Sequence, residues 1–196
     1  MVKVKQFGKL LFKLRGYTPI PFVLILLIFS KPNAHLIISG TLLILLGEFI
    51  RIMSVGYSGE IERSSQIAAD SLVTAGPYAH VRNPIYIGNY FWGLGFVLVF
   101  NVWLPYIIGL YTLGFTLQYW LIVREEETYL EKKFGQKYLL YKSKVHSFIP
   151  QIYTYKNASP HRFNLNSALR SEKDTFKVLG ILYLIIVLRW IFSDFL

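Results

Sequence analysis

The residues that could do chemistry in this chain fall in two stretches. The first, Gly76 to Gly88, reads Gly-Pro-Tyr-Ala-His-Val-Arg-Asn-Pro-Ile-Tyr-Ile-Gly and sets Tyr78, Arg82, Asn83 and Tyr86 between a polar loop and a long apolar run. The second, Arg124 to Tyr141, brings Glu126 and Glu127, with Tyr138 and Tyr141 after Gly135. A carboxylate can hold an ammonium or ribose hydroxyls, an arginine can hold a carboxylate or phosphate, and an aromatic face can hold a cation. Such a set suits a ligand with both a cationic and an anionic part. Taken singly, each stretch has a plainer reading, the first as a helix-start turn and the second as a solvated charged helix. Their joint placement at the open end of one helical hairpin shifts the balance toward a site.

The elements that position them are apolar helices. Of 196 residues, 54% are hydrophobic and 16% charged, and the mean hydropathy is +0.42. That composition indicates an all-α integral membrane protein, a polytopic transmembrane helix bundle of about five spans. A basic stretch over residues 1–16 reads as an interfacial helix that is retained and not a signal peptide. Thr18 to Phe29 is short for a span and is expected to extend to Ala34 or to lie tilted. Leu36 to Val55, Pro84 to Phe100 and Trp103 to Val123 give three more spans, the last continuing about three turns beyond the membrane to end near Gly135. Residues 142–170 read as basic and irregular, and Ser171 to Asp174 as a capping box before a fifth span, Phe176 to Phe192. Gly40 and Gly47 stand seven residues apart, as do Gly88 and Gly95, so each pair shares a helix face open to close packing. Glu48 and Arg51, one turn apart, fit an intrahelical ion pair with Arg51 reaching the interface, or a polar lining for a cavity.

The formal charge of +10 belongs to loops beside spans, where it sets orientation and meets anionic lipid, so no nucleic-acid partner is indicated. With five spans, the Lys and Arg of residues 1–16, 57–83 and 124–177 all fall on one side, leaving Lys31 opposite. That asymmetry predicts a cytoplasmic N-terminus, both motif stretches on the cytoplasmic side, and the C-terminus outside. There is no cysteine, which excludes disulfides, thiolate zinc sites and a cysteine nucleophile. His35, His80, His146 and His161 are not paired at metal-ligand spacing, so no metal is expected.

The two stretches together, Gly-Pro-Tyr-x-x-Val-Arg-Asn-Pro-x-Tyr-x-Gly at 76–88 and Glu-Glu-x-x-Leu-x-x-x-Phe-Gly-x-x-Tyr-x-x-Tyr at 126–141, resemble the isoprenylcysteine carboxyl methyltransferase and phospholipid methyltransferase superfamily. Val145 to Pro150 is similar to that family's tail. The resemblance covers about residues 72–150, leaving residues 1–71 as an N-terminal part with two spans and residues 151–196 as a C-terminal extension. It implies S-adenosylmethionine as cofactor, bound at the cytosolic end of the hairpin. Carried over, Arg82, Asn83 and Tyr86 become the catalytic set. Tyr78, Val81, Arg82, Asn83, Pro84, Tyr86, Gly88, Glu126, Glu127, Tyr138 and Tyr141 become the cofactor pocket. Asn83 stands where the family often has histidine; asparagine can hydrogen-bond but not titrate, and His80 is nearby. The acceptor implied is lipophilic or amphipathic, an isoprenylcysteine-type carboxylate, a phospholipid amine or a thiol, entering from the bilayer past Tyr90, Trp92, Phe96 and Gln118. Two other readings compete. A sterol-type reductase using NADPH shares a related hairpin, but Asn89 and Ile85 depart from its motif. The other is a non-enzymatic membrane scaffold.

Overall fold

The computed structural model describes Leu14, residues 16–59 and residues 70–191. Most of the expected basic interfacial helix, the acidic loop residues Glu60 and Glu62, and Phe192 lie outside the described residues. Those described form six α-helices and a short 3-10 turn: α1 Ile20–Phe29, α2 Ala34–Ser58, the turn Gly76–Ala79, α3 Pro84–Phe100, α4 Tyr106–Phe134, α5 Gln136–Lys144 and α6 Leu165–Ile191. They contain no strand.

Each boundary has a local cause. Asn33 caps α2, its side-chain oxygen accepting from the His35 amide at 3.0 Å. Pro84 opens α3, where a missing N–H costs nothing. Gly135, at φ +53°, breaks the chain between α4 and α5 in a conformation that a side chain would strain. α4 thus runs unbroken from the apolar segment through the acidic one, as expected. Two expectations fail beyond it. Residues 142–144, at the start of the stretch expected to be irregular, close a helix that runs Gln136–Lys144, and α6 begins at Leu165, eleven residues before the expected span. Asn164 supplies the cap by accepting from the Ser167 amide at 3.0 Å. The Ser171–Asp174 capping box therefore lies inside a helix, and its glutamate is free to serve the core.

The helices run alternately up and down. Gly40 of α2 faces Gly95 of α3 and Gly47 faces Gly88, in antiparallel register. A Cβ on Gly47 would lie 2.6 Å from the Gly88 carbonyl oxygen, and one on Gly40 2.5 Å from that of Gly95. Only glycine lets these two backbones approach so closely, and the small-residue seam makes α2 and α3 the tightest pair. α6 lies antiparallel to α2, with Thr41 and Tyr183 hydroxyls 2.7 Å apart. α4 lies antiparallel to α3 through an aromatic seam in which Tyr86 meets Tyr119 and Tyr90 meets Phe115. At the end remote from the motifs, Arg189 of α6 donates to the carbonyls of Leu27 and Ile28 and to Ser30 Oγ, capping α1. The core between these helices is built from Leu26, Ile44, Phe96, Val99, Phe100, Ile107 and Ile186.

Two of the described helices, Ala34–Ser58 and Tyr106–Phe134, are long and apolar enough to cross a membrane. Much of their apolar surface is not covered by protein: Leu42 is 63% exposed, Phe49 62% and Leu113 60%. Side chains of this kind, unmatched by a protein neighbour, suit hydrocarbon and mark a membrane protein.

Candidate cofactor site

The site lies where the N-terminus of α3, the end of α4 and the elbow to α5 meet. Arg82, in the turn before α3, donates from Nε at 3.0 Å and Nη2 at 2.6 Å to one oxygen of Glu127 on α4. Its Nη1 donates to the carbonyls of Lys142 and Val145. Each of the three guanidinium nitrogens is thus committed to a protein acceptor. The other Glu127 oxygen takes Lys142 Nζ at 2.9 Å, and Lys142 also reaches Glu131 at 2.6 Å. Burial alone would lower the Lys142 pKa, but its hydrogen bonds to Glu131 and Glu127, with their charges, outweigh this and hold it above the ordinary value.

Glu126, the neighbouring carboxylate, points elsewhere. It accepts the Tyr86 hydroxyl at 2.5 Å, a charge-assisted bond of the short, strong kind. Tyr86 is buried and its ring lies against Tyr119, centroids 4.6 Å apart. Tyr86 and Glu126 therefore share a corner between α3 and α4, while Arg82, Glu127 and Lys142 tie α4 and α5 to the turn.

A strap closes the turn from behind. The Arg82 amide donates to the His146 carbonyl at 2.9 Å, and the Asn83 side chain donates to Ser147 Oγ at 2.9 Å and to its carbonyl at 3.1 Å. The Gln151 amide donates to the His80 carbonyl at 2.9 Å and the Tyr155 amide to that of Ala79 at 3.0 Å. His80 Nδ1 lies 2.9 Å from the Gln151 carbonyl oxygen, so this histidine belongs to the strap. Beneath it, Ala79, Tyr138, Tyr141, Val145 and Tyr155 form one buried cluster. Tyr141 donates to the Tyr78 carbonyl at 2.6 Å. Burial first, then the Glu127 charge, pushes the Tyr138 phenol well above its usual range.

Direct bonds thus join Arg82 to Glu127, Tyr86 to Glu126 and Tyr141 to the Tyr78 carbonyl, and Tyr138 shares the buried cluster with Tyr141. Asn83 is bonded to Ser147 instead, and Val81 and Pro84 are buried in the same segment. Gly88 stands apart from the carboxylates, packed on Gly47 and the Arg51 side chain. The expected lipid-side lining does not form one opening. Tyr90 lies against Phe115 in the α3–α4 seam, whereas Trp92 packs on Gly47, Phe96 on Tyr183, and Gln118 donates to Thr18. Sequence reasoning also passed over Ser147, Gln151 and Tyr155. Only Ser147, inside the Val145–Pro150 segment, carried a signal.

Arg51 does not reach for the interface. It turns inward to an ion pair with Glu172 of α6 at 2.6 Å and one with Glu48 at 3.3 Å, and Nη1 donates to Asn89 Oδ1. Both carboxylates are buried. The C-terminal helix is therefore keyed into the bundle by charge as well as by apolar contact.

Comparison with known proteins fits this arrangement. The chain is 32% identical over 131 residues to a protein-S-isoprenylcysteine O-methyltransferase of Xenopus laevis, covering 62% of this chain and 43% of the relative. It is 34% identical over 115 residues to the one from Schizosaccharomyces pombe, 55% of this chain and 46% of the relative. To the human one it is 31% identical over 131 residues, 62% of this chain and 44% of the relative. The chain thus spans less than half the length of these curated relatives. No solved structure matches it. The phospholipid methyltransferase family model matches residues 35–137, more than half of the chain, from the start of α2 through the first motif stretch and most of the second to the α4–α5 elbow, short of Tyr138 and Tyr141, and the chain belongs to that family.

Proposed function

We infer that this chain is a membrane methyltransferase that binds S-adenosylmethionine at the mouth of the α3–α4 hairpin. It passes a methyl group to a lipophilic acceptor with a carboxylate nucleophile, of the isoprenylcysteine kind named in its relatives. The observation that carries the reading is the Tyr86–Glu126 bond at 2.5 Å beside the Arg82–Glu127 pair. It supports a division of labour between the two adjacent glutamates. Both oxygens of Glu127 are held by protein cations, so Glu127 fixes the last turns of α4 against the turn before α3. Glu126, oriented by Tyr86, is the carboxylate suited to an ammonium or to ribose hydroxyls. The rings of Tyr86 and Tyr119 offer faces to a cation. These groups fit, in class, three parts of S-adenosylmethionine: the α-ammonium of its amino-acid end, the ribose hydroxyls and the sulfonium.

Bound there, S-adenosylmethionine supplies a methyl group on a positively charged sulfur. The chain's residues then have to align and shield, since positioning and exclusion of water account for much of the acceleration available to an activated donor. Arg82 acts through Glu127 and the strap, as a positioning residue. Asn83 holds Ser147 and does not titrate. A carboxylate acceptor is ionised at neutral pH and needs no base, which suits a site with asparagine at this position. An amine would first have to lose a proton, and no titrating group is assigned to take it. The charge pattern supports a cytoplasmic position for the mouth, on the side that carries the basic stretches; α1, ending at Phe29 and not extending to Ala34, is shorter than a full crossing.

Purified full-length protein incubated with methyl-labelled S-adenosylmethionine and farnesylated cysteine should yield base-labile methyl ester. Label entering only phospholipid or only a thiol would replace the acceptor class. Binding of NADPH without S-adenosylhomocysteine would overturn the cofactor.

A further inference from the structure

The buried cluster around Arg51 lies outside the two motif stretches, yet it runs to the same corner. From Glu172 on α6, the contacts pass to Arg51 on α2 at 2.6 Å and from Arg51 Nη1 to Asn89 Oδ1 on α3. Asn89 Nδ2 then faces the Tyr119 hydroxyl on α4 at 3.4 Å. The Tyr119 ring lies 4.6 Å from that of Tyr86, centroid to centroid, and Tyr86 donates to Glu126 at 2.5 Å. The chemistry gives this path a direction. A guanidinium has donors only, so it fixes the Asn89 amide with its oxygen toward Arg51 and its NH2 toward Tyr119. The Tyr119 oxygen then accepts, which anchors the ring that backs Tyr86. Asn89 and Tyr86 stand three residues apart and so share one face of α3. Glu172 is fully buried and Arg51 mostly so, with 13% of its side chain exposed, a costly setting for charge at this depth of a helical bundle unless it serves a purpose.

We propose that Arg51 and Asn89 are positioning residues for the cofactor site, and that Glu172 of the C-terminal helix sets them. In this arrangement α6 acts on the site without touching it, by orienting one amide that steadies the Tyr119–Tyr86 pair and thereby Glu126. The proposal rests on the reading of that corner as an S-adenosylmethionine site.

The test is a double-mutant cycle in the full chain, read as S-adenosylhomocysteine affinity by titration calorimetry, with thermal unfolding recorded for every variant. Asn89→Leu should weaken binding by about fivefold or more in the wild-type background, but by less than about twofold in a Tyr119→Phe background, where the link is already cut. Glu172→Leu should weaken binding to a similar degree. Glu172→Gln, which retains an acceptor for Arg51, should restore it to within about twofold of wild type. Equal losses from Asn89→Leu in both backgrounds would show two independent structural effects and overturn the proposal, even if the Glu172 variants fail to fold. Wild type that binds no S-adenosylhomocysteine would instead overturn the cofactor reading, and this inference with it.

Discussion

Arg82 grips a single oxygen of Glu127 with two of its nitrogens, at 3.0 and 2.6 Å, and uses the third on the carbonyls of Lys142 and Val145. The pair is mostly buried, with side-chain exposures of 10% and 12%. Removing Arg82 leaves Glu127 with Lys142 as its one remaining cation among the described residues and strands two carbonyls. Arg82→Ala should therefore lower stability by about 3 kcal/mol, seen as an earlier thermal transition in detergent. Arg82→Lys keeps the charge but cannot span the same acceptors, and should recover less than half of the loss. An Arg82→Ala protein with unchanged unfolding would contradict the structural part assigned to this arginine.

The glycine seam makes a sharper contrast. Gly47→Ala puts a methyl 2.6 Å from both the Gly88 carbonyl oxygen and the Trp92 amide nitrogen, both backbone atoms that cannot yield cheaply. A cost of about 1–3 kcal/mol follows, as for other overpacked sites. Gly109→Ala, on α4 with nothing within 4 Å of the new methyl, should be neutral or stabilising by roughly 0.5 kcal/mol, since glycine weakens a helix interior. Thermal unfolding of the two variants side by side decides it; equal behaviour would mean that α2 and α3 are not in backbone contact.

Lys142 gives a pH signature. Its folded pKa lies above the ordinary 10.5, so its contribution is complete below the unfolded value and fades as pH rises through the folded one. The difference in melting temperature between wild type and Lys142→Met should stay flat between about pH 6 and pH 9 and shrink above about pH 10.5. A difference that instead grows with alkalinity would reverse the sign of the coupling to Glu127 and Glu131.

Asn83 binds the strap through two bonds to Ser147. Asn83→Ala should cost about 1–2 kcal/mol and speed proteolysis within residues 145–155. Its pH–rate profile should keep the wild-type shape, because no titrating group has been removed. A change of profile in this variant would assign Asn83 a part in proton handling.

Much of this was legible in the residues. Pro84, Gly135 and the apolar runs marked the ends of α3 and α4 because each boundary is a local matter of caps and breakers. The pairing of Tyr78, Arg82 and Tyr86 with Glu126, Glu127 and Tyr141 followed from one hairpin. The family segment confirms the resemblance that those residues carried. The partners of the seven-residue glycine pairs did not show, because periodicity gives a face but not what meets it. In sequence alone Glu172 has the look of a helix-cap residue, since Ser171 to Asp174 has the cap pattern and nothing local reveals a buried arginine on α2. The strap was hidden for the same reason: its bonds are mainly backbone ones between residues more than sixty apart, and a backbone amide has no sequence signature.

The strap has a practical consequence for anyone recombining this protein. The segment matched by the family model stops at residue 137, yet Arg82 and Asn83 inside it are held by Lys142, Val145 and Ser147 beyond it, and Arg51 by Glu172. A chimera cut at the segment's edge would keep Arg82, Asn83, Tyr86, Glu126 and Glu127, but lose Tyr138, Tyr141 and the acceptors that aim the turn. A transplantable unit takes in the strap through Tyr155, whose amide bonds to the turn, and α6 as well, whose Glu172 holds Arg51, so the crossover point does not belong where the sequence similarity fades.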